Sequence, residues 1–149
     1  MTIERGLSAR VRRTVSVDDT AEALGSGDLP VLGTPRLVAW CGAATCAAIV
    51  EQLDDDATSV GTRIQVDHKA ASAVGDTITA TATVTHVDGR LLNFEVVAAE
   101  QVVAHGRSAA SSYAVIGSWT GSPAGRPQNP RMGACGSMIR DKFRGGPHG

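Results

Sequence analysis

TPRLVAWCGAATCAAIVEQL, residues 34–53, is the stretch that decides how the rest of the chain can fold. No charged residue occurs between Arg36 and Glu51. Thr34 and Pro35 are a good helix start, because threonine can cap the free N–H groups and proline suits the first turn. A helix that is apolar on every side must be surrounded. Its uncharged part rises only about 21 Å, too short for an ordinary membrane span of about 20 residues. The stretch therefore predicts a buried central helix.

Composition limits the class of protein. The chain has 149 residues, which suits one domain with a single core. A net charge of −1 and a 3% aromatic content argue against nucleic-acid binding. Three cysteines without metal-ligand spacing fit a reducing cytoplasm better than a disulfide scaffold. The N-terminus lacks the apolar segment of a secretory signal, and Glu4 makes an organelle transit peptide a second choice. We therefore expect a cytoplasmic protein without nucleic-acid or membrane partners.

Segments that alternate between apolar and polar residues predict strands on both sides of this helix. Residues 8–18 alternate partly, and residues 60–68 alternate throughout. One face of the second segment is predicted to carry Val60, Thr62, Ile64, Val66 and His68. Because side chains along a strand repeat every two residues, His68 points toward the apolar side and Asp67 points away from it.

The residues after position 76 predict a hairpin and one further strand. Residues 77–87 alternate threonines with small or apolar side chains, and inner alanines let a helix approach the sheet closely. An Asp-Gly pair at positions 88–89 indicates the hairpin turn, after which residues 91–100 return. A last strand is predicted for residues 102–116, with Gly106 as a bulge or close-approach point.

From position 117 the sequence changes character. Residues 117–149 lose the apolar periodicity and are rich in glycine, proline and arginine, a composition that cannot bury a core. We therefore predict one folded domain over residues 1–116 and a disordered basic tail over residues 117–149. A solvated extension is the favoured interpretation of the tail, and contact with ligand phosphates or an acidic partner is the other.

One helix, four consecutive antiparallel strands after it and one strand before it predict an α+β protein in which a sheet wraps around a central helix, the hotdog fold. Three motifs follow the helix: S-V-G-T-x-I-x-V-x-H-x-A from residue 59, G-D-x-I-x-A from residue 75 and V-D-G-R-x-L-x-F from residue 87. With these motifs, roughly residues 30 to 116 resemble the fluoroacetyl-CoA thioesterase group of hotdog proteins.

The resemblance implies a site with a threonine at the start of the central helix, a glutamate eight residues later and the histidine of the V-x-H motif. Thr34 and His68 match this pattern, whereas Gly42 stands at the position of the glutamate. An imidazole can act as general base or polarise a thioester carbonyl, and a hydroxyl can attack or orient. The backbone near Gly61 resembles the place where the family holds the thioester carbonyl.

No other acidic residue of the same subunit evidently replaces the missing glutamate. Glu51 falls on the opposite side of the predicted helix from Gly42, and Asp67 points away from the core. Thr45 and Cys46 share the face of Gly42; they can line a cavity but cannot act as a carboxylate. Gly42 itself is open to two interpretations, close helix packing or a site altered for another acyl group.

The preferred hypothesis is an acyl-CoA thioesterase-like protein that hydrolyses a small acyl thioester, with His68 as base and Thr34 as nucleophile or orienting hydroxyl. The resemblance implies a homodimer joined through sheet edges, with no cofactor and no metal, since CoA or pantetheine belongs to the substrate. Because of Gly42, a hotdog protein that binds an acyl-CoA or another small molecule without hydrolysis is the alternative. Hydration chemistry would need an Asp/His pair that is absent beside His68, and a purely structural dimer is the remaining alternative.

Overall fold

The computed structural model describes residues 2–100 and 108–118, and the side chains of residues 2–99. The elements follow in the order β1 (Ser8–Thr14), a 3-10 turn (Val17–Asp19), α1 (Ala21–Leu24), α2 (Thr34–Ile49), a 3-10 turn (Val50–Gln52), β2 (Ala57–Asp67), β3 (Thr77–Asp88), β4 (Leu91–Glu100) and β5 (Ser108–Ser118). The strands form one antiparallel sheet in the order β1-β3-β4-β5-β2. One sheet against one long helix confirms the predicted α+β class.

The helix α2 packs on the sheet through small and medium-sized apolar side chains. Its buried residues are Leu37, Trp40, Cys41, Ala44, Thr45, Ala47, Ala48 and Ile49. The sheet supplies alternate residues of β3 and β4 to the same core, namely Ile78, Ala80, Ala82, Val84, Leu92, Phe94, Val96 and Ala98. Alanine on both surfaces lets the helix lie close to the sheet. The inner face predicted from the alternation of residues 77–87 and 91–100 is confirmed.

The start of α2 differs from the sequence prediction in how it is capped. Gly33 occupies the N-cap position, and no side chain caps the first turn. Thr34 does not cap the helix because its hydroxyl is instead hydrogen-bonded to His68. A Cβ on residue 33 would lie 2.9 Å from Leu24 Cδ1 and 3.2 Å from the Ala21 backbone, so this close approach requires glycine.

The outer side of α2 is only partly covered. Val38, Gly42 and Cys46 are half-buried and Ala39 is exposed, in contrast to the side that faces β3 and β4. The element opposite this side is β2, which ends the strand order and pairs only with β5 among the described strands. A groove between α2 and an edge strand is the result.

A bulge in β2 changes which residues face this groove. Gly61 pairs with Ala114 and Arg63 pairs with Tyr113, so β2 has one extra residue at this point. An extra residue reverses the alternation of side chains along the bulged strand. Val60 is accordingly 61% exposed, while its neighbour Ser59 contacts α2. The prediction that Val60 shares a face with His68 is wrong for this reason.

The hairpin between β3 and β4 is confirmed, but its two turn residues are Gly89, with a φ of 56°, and Arg90, because Asp88 of the predicted turn pair still pairs with Leu91. The first strand ends at Thr14, before the predicted end at residue 18. The last strand continues to Ser118, two residues past its predicted end. The predicted strand start at residues 102–107, including Gly106, and the part of the predicted tail from residue 119 lie outside the described residues. No helix among the described residues is long and apolar enough to cross a membrane.

Candidate active site

The first turn of α2 and the end of β2 meet through one hydrogen bond. Thr34 Oγ1 lies 2.8 Å from Nδ1 of His68, the residue that directly follows β2. The threonine is exposed and the histidine is half-buried, so the pair is accessible without lying on a flat surface. The structure thus brings together the two residues that the sequence predicts as catalytic, and their role stays a prediction.

Two networks hold the elements on either side of this pair. The Arg36 side chain forms an ion pair of 2.9 Å with Asp19, and the amide of Gly33 donates to the Asp19 carbonyl at 2.9 Å. On the other side, the amide of Leu32 donates to the carbonyl of Ser72 at 2.8 Å, which ties the loop after His68 to the segment before α2. Because both segments are fixed by bonds that do not involve the pair, the pair is positioned by the fold rather than by its own weak bond.

The hydrogen bond allows two forms of neutral imidazole with different chemistry. If the Thr34 hydroxyl donates to Nδ1, the histidine is placed to accept the proton of an attacking threonine. If Nδ1–H donates to the hydroxyl oxygen, Nε2 carries the lone pair and can accept a proton from water. The first turn of α2 contains no acidic residue, so no carboxylate of that turn offsets the positive end of the helix dipole beside the pair.

An open cleft of about 360 Å³ lies farther along the groove between α2 and β2. It is lined by Val38, Gly42, Thr45, Cys46, Ser59, Gly61, Thr62, Arg63 and Ile64. All four residues that the sequence predicts as substrate-binding, Gly42, Thr45, Cys46 and Gly61, therefore line one cavity. No acidic side chain is among its lining residues.

Several polar groups of this cleft are already bonded within the protein. The hydroxyl of Thr45 donates to the carbonyl of Gly42 at 2.7 Å, as expected for a threonine inside a helix. The Cys46 sulfur lies 3.9 Å from the Ser59 hydroxyl oxygen, which links α2 to β2 at the far end of the groove. These contacts make the cleft wall between α2 and β2 more apolar than its residue types suggest.

Gly42 faces open space. A Cβ built on this residue would meet no other atom within 4 Å, so the interpretation that glycine is needed here for close helix packing does not hold. Gly61, on the opposite wall, has equally open surroundings. Both glycines therefore widen the cleft.

The Thr34–His68 pair and the cleft occupy successive parts of the same groove. Thr34 is one helical turn before Val38, and the eight residues from Thr34 to Gly42 correspond to about 12 Å along the helix. The Cys46–Ser59 contact lies at the opposite end of the groove from the pair, which shows that α2 and β2 run in opposite directions. A single chain therefore does not place Gly42 next to the Thr34–His68 pair.

The remaining candidates contribute no reactive group to the groove. Cys41 faces the core with 2% exposure, and burial raises the pKa of its thiol to about 11, so the sulfur stays protonated near neutral pH. Glu51 and Asp67 are both exposed, outside the cleft lining. In the described part of the chain no group of three or more His, Cys, Asp or Glu side chains could hold a metal ion, and the expectation of a metal-free site stays a prediction.

Sequence reasoning missed part of the cleft wall. Val38 could have been found, because it lies four residues from both Thr34 and Gly42 and such residues share a helix face. Ser59 was missed because the bulge that turns it toward α2 was not predicted, although Gly61 within the strand pattern was an available signal of a bulge.

The family model of the fluoroacetyl-CoA-specific thioesterase matches residues 15–110 of this chain. A variant of that thioesterase in complex with fluoroacetate and CoA is similar in structure, with 25% sequence identity, a TM-score of 0.71, and coverage of 78% of this chain and 96% of the other. No curated protein sequence matches the chain.

Two further solved structures show the fold. A thioesterase superfamily member from Thermus thermophilus has a TM-score of 0.71 at 18% identity, with 96% of this chain and 97% of that chain covered. A hot-dog-like protein from Thermanaerovibrio acidaminovorans has a TM-score of 0.68 at 21% identity, with coverages of 97% and 94%. The predicted hotdog fold is thereby confirmed, and since the family model spans well over half of its residues, the chain belongs to the fluoroacetyl-CoA-specific thioesterase family.

Proposed function

We propose that this protein hydrolyses a small acyl thioester and that the Thr34–His68 pair carries the reaction. The single observation that supports this most strongly is the 2.8 Å contact between the two side chains at the accessible end of the α2/β2 groove. A thioesterase-like function agrees with membership of the family. Separate bonds also hold the segments around the two residues.

The reaction needs one proton acceptor and one site for negative charge. His68 takes a proton as oxygen attacks the thioester carbonyl, the C–S bond breaks, and the proton passes to the leaving thiolate. The attacking oxygen belongs to water or to Thr34, and in the second case water then releases the acyl group from the threonine. General-base catalysis of this kind contributes about 10²- to 10⁴-fold to the rate.

A homodimer is part of the proposal. The outer edge of β2 pairs with no described strand, and an unpaired edge is a template for another copy. Within one chain Gly42 lies about two thirds of the way along α2 from Thr34 to Cys46, roughly 12 Å beyond the pair. Pairing of two subunits through this edge would allow the cleft of one subunit to lie beside the Thr34–His68 pair of the other.

The substrate supplies its own CoA or pantetheine group, so the proposal needs no cofactor and no metal. It places the protein in the cytoplasm, where acyl-CoA thioesters are available and where three cysteines without disulfide spacing are compatible with a reducing environment. Nucleic acid and membranes have no part in this function.

The test is an assay of hydrolysis with a panel of short acyl-CoA thioesters, in which the release of free thiol is measured. We expect wild-type protein to turn over at least one of them and the His68→Ala variant to lose that activity without loss of its circular dichroism spectrum. His86, an exposed histidine on β3, provides the matched control, and His86→Ala should behave like wild type. Equal turnover by wild type and His68→Ala would show that the base is assigned wrongly.

Binding without hydrolysis is the second candidate function. It is favoured by Gly42, because the cleft contains no carboxylate among its lining residues. A thioether analogue of acyl-CoA that binds, together with a matching thioester that stays intact, would identify this alternative.

A further inference from the structure

Gly42 is a glycine that neither backbone conformation nor packing requires. It lies in the middle of α2, where glycine is less favourable than alanine by roughly 0.5–1 kcal/mol, and it is absent from the glycines with positive φ. A Cβ at this position meets no atom within 4 Å. The space beside it is therefore available to a ligand.

The cleft that contains this space is larger than a two-carbon acyl group needs. Its volume is about 360 Å³, whereas a cavity of about 150 Å³ holds a benzene ring. Even when the pantetheine arm of the substrate occupies part of the cleft, room remains for an acyl group about the size of a benzene ring.

The wall chemistry points to an uncharged group. Val38 and Ile64 supply aliphatic surface, and the hydroxyl of Thr45 is bonded to the helix backbone. Arg63 is the single ionisable lining residue besides the Cys46 thiol; because it is exposed, its charge stays hydrated and does not require an anionic ligand. Such a surface gains free energy by covering hydrocarbon, about 0.8 kcal/mol for each buried CH₂ group.

We infer that Gly42 makes this cleft an acyl pocket for an uncharged group of about six to eight carbon atoms, aliphatic or ring-containing, in preference to acetyl. This inference rests on the proposed function in that it takes an acyl thioester as the ligand. It does not require that the thioester be hydrolysed.

The experiment compares binding of non-hydrolysable thioether analogues of acetyl-CoA and hexanoyl-CoA by isothermal titration calorimetry. Wild-type protein should bind the hexanoyl analogue at least about tenfold more tightly, since one methylene in an apolar pocket can be worth about 10- to 200-fold. Gly42→Leu fills the pocket and should bring the ratio of the two Kd values to about one. Thr85→Leu adds the same side chain at an exposed position of β3 outside the cleft lining and should keep the wild-type ratio.

The outcomes separate this inference from the proposed function. A wild-type ratio near one, or a preference for acetyl, overturns the inference, and so does a ratio that Gly42→Leu leaves unchanged. Binding with the expected ratio but without turnover of hexanoyl-CoA supports the inference and contradicts hydrolysis. Failure of both analogues to bind overturns both.

Discussion

Replacement of Thr34 by valine separates the catalytic role of its hydroxyl from any structural role. Valine keeps the branched shape and removes only the group that lies 2.8 Å from His68 Nδ1. Because Thr34 is exposed, water can replace this bond, and its net contribution to stability is about 0.5–1.5 kcal/mol. For a chain of this size 1 kcal/mol corresponds to about 2–4 °C, so the melting temperature should fall by no more than about 6 °C.

The effect on catalysis should be much larger. A hydroxyl that attacks, or that orients the base, is worth about 10²- to 10⁴-fold in rate, which corresponds to about 2.7–5.4 kcal/mol on the barrier. We expect kcat/KM for the preferred acyl-CoA, measured by thiol release, to fall by at least about 100-fold in Thr34→Val. Thr34→Ser keeps a hydroxyl and should retain most of the activity.

Two results would refute this reasoning. One is a Thr34→Val variant whose kcat/KM lies within tenfold of wild type, since the hydroxyl would then have no part in the reaction. The other is an equal loss in Thr34→Ser and Thr34→Val, which would place the effect in the shape of the side chain. Mass spectrometry of quenched wild-type reactions adds a further distinction, because an acyl group on Thr34 identifies it as the nucleophile.

Four further predictions concern the groove and the core. Gly42→Glu should fold, because the Cβ position is open. Its kcat/KM for acetyl-CoA should exceed that of Gly42→Gln by more than about tenfold, because a carboxylate can activate water and an amide cannot. Equal kcat/KM values for the two variants would contradict this. In a Cys135→Ser background, iodoacetamide at pH 8 should modify the half-buried Cys46 and leave Cys41 intact in the native protein, as peptide mass mapping can show. The pKa of the Cys41 thiol is near 9 in the unfolded state and about 11 in the folded state, so between these pH values the unfolded state binds fewer protons. The free energy of unfolding should therefore fall as the pH rises through this range, by up to about 1.4 kcal/mol per pH unit. Cys41→Ala should lack this additional fall. Ala82→Leu adds bulk at a position with 0% exposure and should lower the free energy of unfolding by about 1–3 kcal/mol in urea denaturation; no change would contradict the close packing of α2 on the sheet.

The main elements could be predicted because their signals are local. The uncharged run after Arg36 identifies α2, the alternation of threonine with alanine identifies β3, and the Asp-Gly pair before Arg90 identifies the hairpin. Each signal depends on neighbours only a few residues apart, which share a helix face or a strand face whatever the rest of the chain does.

The details that shape the groove depend on contacts between distant segments and were beyond such reasoning. The sequence suggests that Thr34 caps its helix, but the hydroxyl bonds a histidine 34 residues away, and the close approach to α1 leaves the N-cap to Gly33. The alternation around Val60 predicts the wrong face because a bulge at Gly61 is set by pairing with β5. The open space beside Gly42 likewise depends on where β2 lies.

The most direct test of the account is the structure of the protein with a non-hydrolysable thioether analogue of acyl-CoA. We expect the position of the thioester carbonyl to lie within about 3.5 Å of His68 Nε2, or one water away, in the same chain or across a dimer. We also expect the acyl group to lie against Gly42. An analogue bound elsewhere, with the imidazole turned to open solvent, would contradict the account.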